Sequence, residues 1–302
     1  MIHSPTAWLR GAGGTPFGRH EGRGPVDLMA DAARQALASS ALARGDIDGM
    51  LCGYATTLPH LMLSTLLCER FGLSPRYAHG MQLGGATGAA MLMAARELVR
   101  AGRCRNVLVV AGENRLTGQS RDSSIQTLAQ VGDADYEVPN GASVPAYYAL
   151  MASEYMHRTG ITRADLAEFA VLMRANAARH PEAHLRTPIT QAEVLASKPI
   201  AAPLSLLDCC PISDGAMALV VSAEPGPHAP VRMAGAGQAH RHQHLTAMAD
   251  VMQCGAGEAA AQAFAEAGLT HADIGYLGIY DSFTITLDRK STRLNSSHLG
   301  IS

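Results

Sequence analysis

Lysine is almost missing from this chain: Lys198 and Lys290 stand alone among 302 residues, and arginine carries nearly all the positive charge. So lopsided a choice fits a biased source genome better than a binding site. A formal net charge of −2 leaves no global field to draw in nucleic acid or an anionic membrane. No apolar run approaches the roughly 18 residues that a membrane span requires. The opening MIHSPTAWLRGAGG lacks a basic start followed by an apolar core, so no secretory signal is expected. Six cysteines (52, 68, 104, 209, 210 and 254) include no C-x-x-C pair, which argues against a zinc ribbon. Without a secretion signal they read as free thiols of a reducing compartment, and a cytoplasmic location is expected. The G-x-G-x-x-G and Walker A patterns are absent too.

What is present belongs to a core-forming protein: 47% hydrophobic and 17% charged residues. The length allows one large domain or two smaller ones. The most informative feature is an internal repeat. Residues 32–54 (AARQALASSALARGDIDGMLCGY) and 259–281 (AAAQAFAEAGLTHADIGYLGIYD) align without a gap at an offset of 227. They share Ala32/Ala259, Gln35/Gln262, Ala36/Ala263, Leu42/Leu269, Asp46/Asp273 and Ile47/Ile274, among others. Each copy reads as an Ala-rich helix, a Leu, an acidic turn and a short apolar strand. Self-similarity at a fixed offset announces duplicated architecture.

Periodicity supplies the rest of the outline. Helical spacing covers 26–43 and 61–71, and a Gly-rich turn at 84–88 runs into a long helix ending at Gly102. VLVVA at 107–111 is a continuous apolar strand of the buried, parallel type. Strands alternating with helices give an α/β fold. Residues 114–210 break the rhythm with helical stretches at 146–158 and 164–179, and read as an inserted capping region that shapes substrate choice. The sheet resumes at 216–223, PGPHAP is a linker, and a new strand opens at 231–236. The expected halves are 1–224 and 229–288. Residues 289–302 (RKSTRLNSSHLGIS) lack the Ala and Val of the body and are expected to be a non-native tail.

Four segments are able to carry chemistry. Gly84-Gly85-Ala86-Thr87-Gly88 places backbone N–H groups at a helix start, where an oxyanion, a phosphate or a nucleophile is favoured; such turns serve packing more often than catalysis. Asp208-Cys209-Cys210-Pro211-Ile212-Ser213-Asp214-Gly215-Ala216 reads as a tight turn before a buried strand. Tyr280-Asp281-Ser282-Phe283-Thr284 follows the second copy's strand, where α/β proteins place ligand groups. A Tyr there is an acid/base candidate, although Tyr and Phe after a strand are usually core. His240, His242 and His244 alternate, yet no carboxylate or Cys lies nearby in sequence. They are read as a solvated loop, and no metal is expected.

In order, Gly14-Thr15-Pro16-Phe17-Gly18, the Gly-rich helix start, Val107–Glu113, DCCPISDGA and YDSFT resemble the thiolase superfamily. The likeness is to the acetyl-CoA acetyltransferase-like branch of sterol-carrier thiolases and thiolase-like lipid-transfer proteins, over about 1–288. It implies an αβαβα five-layer sandwich of two duplicated halves, the second incomplete here. It also implies an acyl-CoA substrate, coenzyme A entering as part of that substrate with no bound cofactor, and a homodimer.

The resemblance assigns roles residue by residue. The family's nucleophilic Cys falls on Gly85, and without a thiolate no covalent acyl-enzyme forms there. Asn of the family's Asn-Glu-Ala-Phe motif falls on Tyr280, followed by Asp281. The candidate catalytic residues are therefore Tyr280, Asp281 and, through its backbone alone, Gly85. Family residues downstream, a His and a second Cys, have no counterpart here; with its second sheet short of strands and apolar surface left exposed, this chain by itself is expected to be inactive and poorly stable. Some relatives in this branch are aldolases that work by proton transfer from Tyr, with a small OB-fold/zinc-ribbon partner. The leading expectation is such non-covalent aldol-type chemistry. The alternatives are a non-catalytic acyl-CoA or lipid-binding protein, and a conventional acetyl-CoA C-acyltransferase using Cys209 or Cys210.

Overall fold

A computed structural model describes residues 6–141 and 143–286. In chain order it forms β1 (Trp8–Gly14), α1 (Pro25–Ser40), β2 (Gly49–Gly53), α2 (Leu63–Phe71), β3 (Tyr77–Met81), α3 (Thr87–Arg100) and β4 (Asn106–Glu113). Then come α4 (Arg121–Ala129), α5 (Val144–Thr159), α6 (Arg163–Arg179), α7 (Gln191–Ala196), β5 (Pro199–Ala201) and β6 (Leu204–Ser205). Last are β7 (Gly215–Ser222), β8 (Val231–Arg232) and α8 (Ala256–Ala267). The elements fall into two compact units. One holds the chain up to Ser120 together with Ile212–Ala234, and the other holds Arg121–Pro211 together with residues from Gly235 on.

The first unit is an α/β layer built on one sheet, ordered β3-β2-β4-β7-β1-β8. β2 runs parallel to β3 and β4, whereas β7 is antiparallel to both β4 and β1. The apolar run of β4 therefore has a parallel neighbour on one side only. Its unbroken hydrophobicity reports burial on both faces, not the direction of a neighbour. Alternation along the strands sorts the core into two layers. Met50, Leu108 and Val220 face Leu28, Met29 and Ala36 of α1 and Leu67 of α2. Leu51, Val107 and Val109 face Met91, Ala95 and Val99 of α3.

The repeat is real at the level of single hydrogen bonds. After α1, Leu42 N–H bonds Leu37 O at 3.3 Å and Ile47 N–H bonds Arg44 O at 3.2 Å; after α8, Leu269 bonds Phe264 O at 3.2 Å and Ile274 bonds His271 O at 3.2 Å. The likeness extends upstream of the aligned block, to a Gly-Ala-Gly that recurs at 11–13 and 235–237. A Cβ on Gly11 would sit 2.6 Å from Ala36 O and from Ser40 Cβ. One on Gly235 would strike the matching Ala263 O and Ala267. Ala12 N–H bonds Ser39 Oγ at 2.8 Å, and Ala236 N–H bonds Glu266 Oε2, at the matching helix position, at 2.9 Å. In both copies, glycines let a chain lie directly against the Ala face of a helix.

Two expected strands differ. Of 231–236 only Val231–Arg232 is a strand, and it adds to the edge of the first unit's sheet beside β1. The second copy's apolar segment after Ile274 forms no named strand among the described residues. A strand needs neighbours for its N–H and C=O groups: β3 and β4 flank β2 in the first copy, and no described strand flanks its counterpart. In the second unit, Ala149 and Ala152 of α5, Leu166 of α6 and Leu204 pack with Phe283 and Ile285. The proposed tail at 289–302 lies outside the described residues.

Candidate active site

The Gly-rich turn lies in the first unit. Gly84 takes φ +55°, a left-handed conformation that suits glycine. Thr87 locks the turn: its hydroxyl accepts from Leu83 N–H at 2.9 Å and donates to Gly84 O at 2.7 Å, and α3 starts at that residue. Gly85 is exposed, and a Cβ built on it meets nothing within 4 Å. The position has room for a side chain and carries none. Neither of the nearest thiols in sequence replaces it. Cys68 and Cys104 are 6% and 3% exposed in the core; burial raises the pKa of both, helped at Cys104 by the charge of Asp48. A buried thiol held in its neutral form is a poor nucleophile.

Tyr280 lies in the second unit, where two sequence motifs meet. Cys209 and Phe283 form an antiparallel bridge, and Cys210 N–H bonds Ser282 O at 3.0 Å. Phe283 stacks on Tyr148, with ring centroids 4.2 Å apart. Burial, then the charge and hydrogen bond of Cys210, push the Tyr280 phenol up to about 12, with Tyr148 and Asp281 adding to the rise. Because 62% of Tyr280 is open to solvent, desolvation counts for less than in a closed pocket, and the Cys210 contact is the part specific to this site. The phenol keeps its proton at neutral pH. That makes it a donor, suited to an oxyanion or a carbanion.

Beneath this pair sits Asp208, 5% exposed. It accepts from Ser205 N–H at 2.8 Å and Thr284 Oγ1 at 3.1 Å, with Arg163 at 3.8 Å. Cys209 donates to Ser205 O at 3.4 Å; burial, then Asp208 and Cys210, raise its pKa to about 11. Cys209 is thus a structural thiol, as the turn reading expected.

Asp214, read from sequence as a turn residue, is more than that. It is fully buried and accepts four bonds: Leu116 N–H at 2.7 Å, Thr117 N–H at 3.3 Å, Thr117 Oγ1 at 2.8 Å and His20 N–H at 3.1 Å. Its backbone exchanges two further bonds with Gly18. The GTPFG and SDGA motifs are thus neighbours in space, tied to the loop after β4. At the end of β4, Glu113 accepts from the Thr56 and Thr57 hydroxyls at 2.6 and 2.5 Å. Sequence reasoning singled out Val107–Glu113 but missed this carboxylate-and-threonine clasp, since its threonines lie 57 and 56 positions away from Glu113. The three alternating histidines lie on a loop rather than a strand; His240 contacts Gln238, and His244 is 3.8 Å from Asp133.

Gly85 and Tyr280 therefore stand in different units, whereas Tyr280, Asp281, Cys210 and Tyr148 come together. Comparisons with known proteins extend this picture. Residues 9–225 match the family "Thiolase, N-terminal domain", and 237–289 match "Thiolase C-terminal domain-like". A steroid side-chain-cleaving aldolase of Thermomonospora curvata is 32% identical over 92% of this chain and 74% of its own length. An acetyl-CoA acetyltransferase of Methanothermobacter thermautotrophicus is 29% identical over 86% of this chain and 69% of its own. The solved Ltp2-ChsH2(DUF35) aldolase superposes with a TM-score of 0.83 at 28% identity, over 97% of this chain and 78% of that one. No helix among the described residues is long and apolar enough to cross a membrane.

Proposed function

The chain belongs to the thiolase superfamily, and from that premise we propose that the whole protein breaks or makes a C–C bond in a CoA thioester by aldol-type chemistry without an acyl-enzyme. The observation that carries this reading is Gly85, an open position with no side chain where the resemblance puts the family's thiol. In the cleavage direction the hydroxyl proton of a β-hydroxyacyl-CoA passes to water as the electron pair of the Cα–Cβ bond moves to Cα and a ketone leaves. Tyr280 delivers its proton to Cα to give the shortened acyl-CoA, and the phenolate left behind takes a proton back from the hydronium formed. Asp281 and Tyr148 flank the phenol and help to keep it the donor.

We assign the halves to 1–224 and 229–288. The protein is proposed to be a cytoplasmic homodimer that takes its CoA with the substrate. By analogy with the Ltp2-ChsH2(DUF35) aldolase, it pairs with a small partner protein. The 17-hydroxy-3-oxo-4-pregnene-20-carboxyl-CoA lyase of Mycobacterium tuberculosis, 30% identical over 93% of this chain, suggests the probe. Assay of the whole protein with 17-hydroxy-3-oxo-4-pregnene-20-carboxyl-CoA is expected to release the shortened acyl-CoA, and Tyr280→Phe to cut turnover by about 100-fold or more. Thiolysis of acetoacetyl-CoA that survives thiol alkylation overturns the proposal. Binding of acyl-CoA with no turnover, unchanged by Tyr280→Phe, favours a lipid- or acyl-CoA-binding protein instead.

A further inference from the structure

We propose that a cleft between α1 and α2 binds a phosphate-bearing small molecule. Arg23, Val26, Asp27, Ala30 and Arg34 line it along α1, and Arg70 of α2 faces them across about 440 Å³, a volume in the range of small-molecule pockets. The cleft lies wholly within the first unit and stands apart from the aldol-type reading of Tyr280. Sequence spacing builds one wall. Residues 23, 27, 30 and 34 recur at three and four positions, so they share one face at the start of α1. Beside them, Asp31 accepts from Arg23 through Oδ2 and from Arg34 through Oδ1. One carboxylate thus holds two guanidinium groups side by side. Arg23 is also fixed from behind: its carbonyl accepts from Asn114 Nδ2 at 2.9 Å, and Asn114 Oδ1 meets the Thr57 hydroxyl at 2.5 Å. The cleft is therefore tied to the Glu113 clasp at the carboxyl ends of β2 and β4, the rim of a parallel sheet where ligands collect.

Arg70 forms the opposite wall. It has no hydrogen-bond or ion-pair partner among the described residues. Its place in the last turn of α2 suits a cation at the negative end of a helix, yet does not explain why it shares a cleft with two more. Three guanidinium groups here meet two carboxylates, Asp31 and Asp27, which leaves one positive charge over. Asp27 is itself engaged, its Oδ2 accepting from Gly24 N–H at 3.2 Å. An anion lodged between Arg70 and the Arg23–Arg34 pair offsets that surplus. Phosphate suits the set better than a flat carboxylate, because its tetrahedral oxygens reach guanidinium forks lying in different planes. Val26 and Ala30 add an apolar floor for the organic part of a phosphate ester.

The test titrates inorganic pyrophosphate into the whole protein by isothermal calorimetry at about 50 mM salt, where exposed charges are little screened. Saturable binding with a Kd below about 1 mM is expected. Arg70→Ala is expected to weaken it at least about ten-fold, and Arg70→Glu to abolish it. Arg70 is exposed, so both variants should fold, which circular dichroism checks. Arg34→Ala, on the other wall, is expected to weaken binding likewise and serves in their place if they do not. Arg103→Ala, an exposed arginine outside the cleft, is expected to change nothing. Adenosine diphosphate then separates two sources of the phosphate. Binding tighter than that of pyrophosphate marks a nucleotide, and equal or weaker binding marks the phosphate group alone; in either case it must be lost in Arg70→Glu. No saturable binding of pyrophosphate up to about 10 mM, an affinity unchanged by Arg70→Ala, or an equal loss in Arg103→Ala overturns the proposal.

Discussion

Asp46 and Asp273, 227 positions apart, close the same turn with the same bond. Asp46 Oδ2 accepts from Ala43 N–H at 2.8 Å, and Asp273 Oδ2 accepts from Thr270 N–H at 2.8 Å. The second copy adds the Thr270 hydroxyl at 2.7 Å. Backbone and hydroxyl of Thr270, in that order, hold the Asp273 carboxyl below its ordinary value. Asp273→Ala is therefore expected to speed amide exchange at Asp273 and Ile274 about five-fold, leaving β4 untouched. The same loosening is expected in wild type as pH falls below about 4, where a depressed carboxyl finally takes up its proton. Exchange at Ile274 unchanged by the substitution would show that the bond does not hold the turn.

That turn was legible in the sequence because it is local: a helix, a Leu and an Asp three residues past a chain reversal need no partner from elsewhere. So was α3, whose start at Thr87 and finish before Gly102 follow from its own residues. What required another segment was not legible. The strand after Ile274 looks like β2 in composition, yet strands depend on neighbours. Asp214 looked like a turn residue because its four donors come from residues 20, 116 and 117. Cys210 read as part of a tight turn or as an alternative nucleophile because its backbone partner, Ser282, lies 72 positions away.

Glycines 13 and 85 should respond oppositely to a methyl group. A Cβ at Gly13 would overlap the backbone of α1 at Ala36 N and Ala32 O, whereas one at Gly85 meets nothing within 4 Å. Gly13→Ala is expected to cost about 1–3 kcal/mol and Gly85→Ala less than about 0.5 kcal/mol, measured by urea denaturation. Gly85→Cys should fold equally well. Its thiol should react with iodoacetamide at least about ten-fold faster than Cys52, Cys68 or Cys104, whose pKa values burial raises, that of Cys52 to about 12. Equal denaturation midpoints for the two alanine variants would refute the close approach.

Asp214 predicts an acid-sensitive fold. Burial works to raise its carboxyl, but the Thr117 hydroxyl and the N–H groups of His20, Leu116 and Thr117 outweigh it and hold the pKa low. A depressed folded-state pKa contributes stability above the unfolded value of about 4 and loses it as pH falls through the folded one. Asp214→Asn keeps the shape and one acceptor oxygen but gives up the charge. It is expected to cost roughly 1–3 kcal/mol at neutral pH and to flatten the loss of stability below about pH 4. A variant as stable as wild type, with the same acid slope, would remove Asp214 as the tie between the GTPFG loop and β7.

The last prediction concerns the alkaline side of catalysis. An acid catalyst works while it holds its proton and fails as pH rises through its pKa. Tyr280, pushed up to about 12, stays protonated well past the point where an ordinary tyrosine would have ionised. Turnover of 17-hydroxy-3-oxo-4-pregnene-20-carboxyl-CoA by the whole protein should therefore show no Tyr280-dependent decline below about pH 11. Any earlier alkaline limb belongs to another group and should survive as a relative decline in the residual activity of Tyr280→Phe. Tyr148→Phe removes a polar neighbour but keeps the ring that stacks on Phe283, so it should move the onset only slightly. If the wild-type rate instead halves near pH 10, and that limb vanishes in Tyr280→Phe, then Tyr280 titrates as an ordinary phenol. Proton donation would then have to be assigned elsewhere.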